Sequence, residues 1–143
     1  MNKQILVAID GSEQSNDAFS EAIRFAKLEK ASLIFLTVIG EVMPNNEELY
    51  LSLDVHPEID DVYRVLAEKR LENMTAELGS EIAYKNETVH GDAKRSIVKY
   101  AKENNVDLIV IGATGRGTIE RTLIGSTTAY VVNHAPCNVM VVK

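Results

Sequence analysis

Short apolar runs alternate along this chain with segments whose apolar residues recur at helical spacing, and this alternation narrows the possible folds more than any other feature. Ile5-Leu6-Val7-Ala8-Ile9 is unbroken, as befits a strand covered on both faces of a parallel sheet. Asp10-Gly11-Ser12 interrupts it with capping and turn residues. Ala18, Phe19, Ala22, Ile23, Phe25 and Ala26 then recur at helical spacing, in a first helix expected to end near Lys30. Leu33 to Ile39 reads as the second strand, stopped by Gly40.

Residues 41–61 break the rhythm. They hold seven acidic residues and no Lys or Arg, with Pro44 and Pro57 as breakers, and are expected to form a mobile acidic loop. Ile59, Val62, Leu66, Leu71, Met74 and Leu78 mark a long second helix closed by Gly79. A third strand is expected at about 82–89. A third helix follows Gly91-Asp92 on Ile97, Val98 and Ala101 and stops at Asn104-Asn105. The fourth strand is expected over 107–111. Ser126 is expected to cap a fourth helix that Pro136 terminates, and 138–142 forms the last strand. The order β-α-β-α-β-α-β-α-β predicts an α/β fold with a parallel sheet and helices on both faces. No repeat or low-complexity linker divides the 143 residues, so one domain is expected over 1–143.

Charge and composition exclude several function classes. The 21 acidic residues outnumber the 15 basic ones, for a net charge of −6. Such a surface repels nucleic-acid backbones and anionic membranes, so neither is an expected partner. No apolar run approaches the roughly 20 residues of a membrane span. The run from Ile5 to Ile9 is also shorter than the apolar core of about 7–15 residues in a secretory signal. The single cysteine, Cys137, forms no internal disulfide, which suits a cytoplasmic protein.

The chemistry concentrates late in the chain. Gly112-Ala113-Thr114-Gly115-Arg116-Gly117 and Gly125-Ser126-Thr127 place four of the eight glycines directly after the apolar run Leu108-Ile109-Val110-Ile111. A strand that ends in a glycine loop and feeds a helix is an anion cradle: the backbone turns sharply, and the helix start presents unpaired N–H groups. In an open parallel sheet, ligands sit beyond the carboxyl ends of the strands. The loops after Ile9, Ile39 and Ile111 would meet there. No Gly-Lys-Ser/Thr tripeptide is present, and the loop after the first strand has Gly11 alone, so neither the Walker A loop nor the dinucleotide fingerprint fits. Plainer roles stand beside these. Asp10, Ser12 and Ser126 are potential helix caps, and Arg116 a potential solvated charge. Cys137 suits a small core position, and His56, His90 and His134 lack metal-ligand spacing. No catalytic residue and no metal ligand is assigned.

The spacing Gly112, Gly115, then Gly125-Ser126 after nine intervening residues resembles the nucleotide-binding branch of the universal stress protein family. The opening from Leu6 to Ser15, the turn Val89-His90-Gly91-Asp92-Ala93 and the ending from Ala135 to Val142 support it. Asn138 stands where many relatives carry a second proline. The resemblance implies a Rossmann-like, five-stranded open parallel sheet ordered 3-2-1-4-5, with ATP at the point where the strand order reverses. Asp10, with Ala8 and Ile9, would face the nucleoside, and the Val38 backbone would read the adenine edge. Gly112 and Ala113, preceded by Ile111, would lie by the ribose. Gly115, Arg116, Gly125, Ser126 and Thr127 would hold the phosphates, with any Mg²⁺ carried mainly by phosphate oxygens and water. In that sheet Val139 to Val142 forms an apolar edge strand, which invites a two-fold homodimer. The implied function is an ATP-binding regulator in stress adaptation with unidentified protein clients. A slow ATPase or Ser/Thr phosphotransferase, and a nucleotide-independent dimeric interaction module, are the alternatives.

Overall fold

Period-two alternation explains why the strands read as continuous apolar runs: each must satisfy two cores at once. The computed structural model describes residues 2–40, 58–114 and 123–143, with the backbone alone at 58–60. In chain order the elements are β1 (Gln4–Ala8), α1 (Glu13–Glu29), β2 (Ser32–Ile39), α2 (Glu58–Thr75) and β3 (Tyr84–His90). α3 (Ala93–Glu103), β4 (Leu108–Gly112), α4 (Ser126–His134) and β5 (Asn138–Val142) complete the fold. The strands form one parallel sheet ordered β3-β2-β1-β4-β5, as the resemblance implies.

Ile5, Val7, Phe35 and Val110 face one side, with Ala18, Ala22 and Ala26 of α1 and Leu71 of α2. Leu6, Ile34, Leu36 and Ile109 face the other, with Ile97 and Ala101 of α3 and Val131 of α4. The three alanines of α1 recur every fourth residue and are all buried, so that helix rides low on the sheet. Phe35 fills the space above it, its ring centroid 4.9 Å from that of Phe19.

Several boundaries differ from the sequence expectation, each for a local reason. Ser12 is the N-cap of α1, its side chain accepting from the Ser15 N–H at 3.1 Å. Asp10 does not cap the helix; its Oδ1 accepts from the Ser12 N–H at 2.9 Å and holds the cap in place. Residues 58–61, expected at the end of the acidic loop, are helical in α2; residues 41–57 lie outside the described residues. α2 stops at Thr75, short of Gly79, where the Leu78 N–H turns back to the Thr75 carbonyl. β3 starts at Tyr84, not Ile82. Ile82 still enters the core at 7 % exposure, which is why it reads as strand. α4 is capped by Gly125 in an extended conformation (φ −64°, ψ 160°), and Ser126 is its first helical residue. Among the described residues no helix is long and apolar enough to cross a membrane.

Candidate functional site

The chain leaves β1 toward β2 on one side and reaches β4 on the other, so the strand order reverses between β1 and β4. Loops diverge there and leave a crevice beyond the carboxyl ends. A cleft of about 230 Å³ occupies that position. Its floor is apolar, formed by Ala8, Leu36, Val38 and Ile111 at the strand ends, and Ala93 and Ile97 of α3 make one wall. Ile9, Asp10, Ser12 and Ser15 make another, while Gly112, Thr114 and the first turn of α4, Gly125 to Thr128, close the far end.

Two polar features open into this apolar slot. The first is in β2. Ladder pairing with β1 ends at Ala8 opposite Leu36, and the Ile9 N–H makes the last bond, to the Leu36 carbonyl at 2.8 Å. Backbone groups two residues apart point to the same side of a strand. The Val38 N–H and C=O therefore point past the last rung, where β1 has turned away, and among the described residues they stand as one donor and one acceptor side by side.

The second is the start of α4. The first four N–H groups of any helix lack an intrahelical partner. In α1 and α3 the chain supplies side-chain oxygens, from Ser12 to the Ser15 N–H and from Asp92 to the Arg95 N–H. In α4 the cap is Gly125, which makes no side-chain cap bond, and the first turn carries no acidic residue. The first intrahelical bond runs from Ala129 to Gly125, so the amides of Ser126, Thr127 and Thr128 precede it at the cleft. The helix dipole adds partial positive charge there. Among the described lining residues Asp10 is the sole charged group.

The predicted site residues Ala8, Ile9, Asp10, Val38, Ile111, Gly112, Gly125, Ser126 and Thr127 thus converge on one cleft. Ala113 does not line it. Its N–H donates to the Val142 carbonyl and its C=O accepts from the Gly125 N–H, both at 2.8 Å. It is a junction linking β4, β5 and α4, facing a separate cavity of about 120 Å³. Gly115 and Arg116 lie outside the described residues.

Gly112 also has a structural duty. A Cβ there would stand 2.8 Å from the Gln14 Cβ and 2.9 Å from the Gln14 carbonyl carbon and oxygen. The missing side chain lets the start of α1 lie against the end of β4.

Sequence reasoning did not assign Ser12, Ser15, Leu36, Ala93, Ile97, Thr114 or Thr128 to the site. Ala93 follows the Asp92 cap directly, so its place at a helix start was readable. Thr128 was not: its Oγ1 donates to the Gly112 carbonyl at 2.7 Å across sixteen residues, a contact made only by folding.

The remaining reactive groups among the described residues lie elsewhere, and His56 falls outside the described residues. Burial first, and the Asp107 carboxylate second, push the Cys137 thiol above its ordinary value, which keeps it protonated and unreactive. His90 pairs with Arg64 at 3.2 Å, and His134 Nδ1 lies 2.9 Å from the Tyr130 carbonyl. Among the described residues no group of three His, Cys, Asp or Glu side chains is placed to hold a metal ion.

Comparison with known proteins agrees with this architecture. The profile of the universal stress protein family matches residues 1–143. A Staphylococcus aureus (strain USA300) relative bearing the universal stress protein name is 34 % identical over 145 residues, spanning 99 % of this chain and 84 % of its own. The structure of the universal stress protein UspA from Lactobacillus plantarum superposes with a TM-score of 0.85 at 35 % identity, over 99 % of this chain and 97 % of that one. A universal stress protein solved in complex with cAMP shares the fold at a TM-score of 0.66 and 24 % identity, over 99 % and 96 % of the two chains.

Proposed function

This chain belongs to the universal stress protein family, and from that premise we propose that its cleft binds ATP and that the protein acts as a nucleotide-dependent regulator in stress adaptation, in the cytoplasm. The observation that carries the reading is the start of α4, which meets the cleft with no side-chain cap bond from Gly125 and, among the described residues, no side-chain acceptor on its first amides. Orphan N–H groups at a helix start suit phosphate oxygens. The Val38 N–H and C=O, which pair with no described residue, suit the donor and acceptor of an adenine edge, and Leu36, Ala93 and Ile97 offer an apolar slot for the ring. The relative solved with cAMP is a protein of the same fold that holds an adenine nucleotide.

On this reading Ala8, Ile9 and Asp10 face the nucleoside, and Ile111 and Gly112 lie along the ribose. Ser126 and Thr127 take the phosphates with Gly125, and the glycine motif assigns Gly115 and Arg116 to the same end. Ala113 acts behind the site, through its two backbone bonds. Mg²⁺ would come with the phosphates and water, since Asp10 is the sole carboxylate among the described lining residues.

The test is to denature the purified protein, identify the small molecules released, and titrate ligand-free protein with Mg·ATP by calorimetry. An adenine nucleotide in the released fraction, or saturable binding, is expected. No release and no binding at millimolar Mg·ATP would end the nucleotide reading.

Among the described residues the sheet ends on β5, which pairs with β4 alone and presents Val139, Met140, Val141 and Val142 without a charge or proline. We further propose a homodimer in which two such edges pair about a two-fold axis. Light scattering at micromolar concentration is expected to give twice the monomer mass; a single monomeric species overturns the pairing.

A further inference from the structure

We infer that Thr128 is a positioning residue: its hydroxyl aims the start of α4 at the phosphate end of the cleft and does not itself bind the ligand. This rests on the nucleotide reading above. Thr128 lines the cleft yet is 3 % exposed, and its Oγ1 donates to the Gly112 carbonyl at 2.7 Å. A hydroxyl has one proton, and here it is spent on a backbone oxygen. It has none left for a phosphate.

The bond has a geometric consequence. Two consecutive carbonyls at the end of β4 each hold one point of α4: Ala113 takes the Gly125 N–H at the cap, and Gly112 takes the Thr128 hydroxyl one turn on. A single tether at Gly125 leaves a hinge at a residue with no side chain. The second tether removes that freedom and fixes the direction of the Ser126 and Thr127 amides. Neither tether touches the end of β2 or Ala93, where the base would sit.

Removing the hydroxyl while keeping the shape should therefore affect phosphate recognition and spare nucleoside recognition. Calorimetry with Mg·ATP and with adenosine, on wild type, Thr128→Val and Thr128→Ser, tests this. Thr128→Val is expected to weaken Mg·ATP about tenfold, the size of one buried hydrogen bond expressed in binding. Adenosine affinity is expected to stay within about twofold, and Thr128→Ser to restore Mg·ATP. If Thr128→Val binds both ligands like wild type, or loses both in equal proportion, the positioning role is wrong while the nucleotide reading stands. If wild type binds neither ligand, the nucleotide reading itself falls and this inference with it. Should Thr128→Val not fold, Thr128→Ala is measured against the same two ligands with the same expectations.

Discussion

Replacing Gly112 by valine is expected to destabilise the protein by about 3 kcal/mol, the upper range for overpacking a site with no slack, and to lower its Tm by about 10 °C. The collision is with backbone as well as side chain. An added Cβ would lie 2.9 Å from both the carbonyl carbon and the oxygen of Gln14, which sit in the first turn of α1. A flexible side-chain tip could swing aside; this segment must move as a unit. It takes with it Ser12, whose hydroxyl caps α1, and Ser15, the residue it caps. Both line the cleft, so Mg·ATP binding should fall together with stability. Because the contact begins at Cβ, Gly112→Ala should show most of the loss. Thermal melts of the two variants check this. A Gly112→Ala protein melting with wild type would mean that α1 does not lie against β4 as described.

Gly112 also shows where the sequence was legible and where it was not. Its position at a strand end inside a glycine-rich run located the cleft correctly, because strands buried on both faces read as unbroken apolar runs and a parallel sheet puts its ligands at their carboxyl ends. β1, β2 and β4 are of that kind. β3 is an edge strand with Tyr84, Lys85 and His90 exposed, and its mixed pattern misplaced its start.

The motif named the residues but not the division of labour among them. Gly112 owes its missing side chain to Gln14, a neighbour in space nearly one hundred positions away. Gly125 takes the cap expected of Ser126, since an extended residue whose N–H is tied to Ala113 leaves Ser126 as the first helical position. Thr128 and Ala113 act through bonds between segments far apart in sequence. Periodicity reports which face a residue occupies, and it is silent on such bonds.

A substitution that blocks the cleft without disturbing the fold separates binding from stability, and Ala93→Phe is expected to do so. Ala93 is the first residue of α3 and is exposed, lining the cleft across from Leu36 and Val38. Asp92, not Ala93, caps that helix, so the cap survives the change. Phenylalanine at one exposed helical position costs at most about 0.5 kcal/mol in propensity, and the melting temperature should move by no more than a few degrees. The new ring can bury itself only in the apolar slot proposed for the base. Mg·ATP affinity is then expected to fall at least about 100-fold, or roughly 3 kcal/mol, and adenosine with it. The contrast with Thr128→Val is diagnostic, because one variant removes the base slot and the other loosens the phosphate end. Unaltered Mg·ATP binding by a folded Ala93→Phe protein would place the base outside the Leu36, Val38 and Ala93 slot. Val38, which lines the same slot as Ala93, would then lose its proposed partner as well.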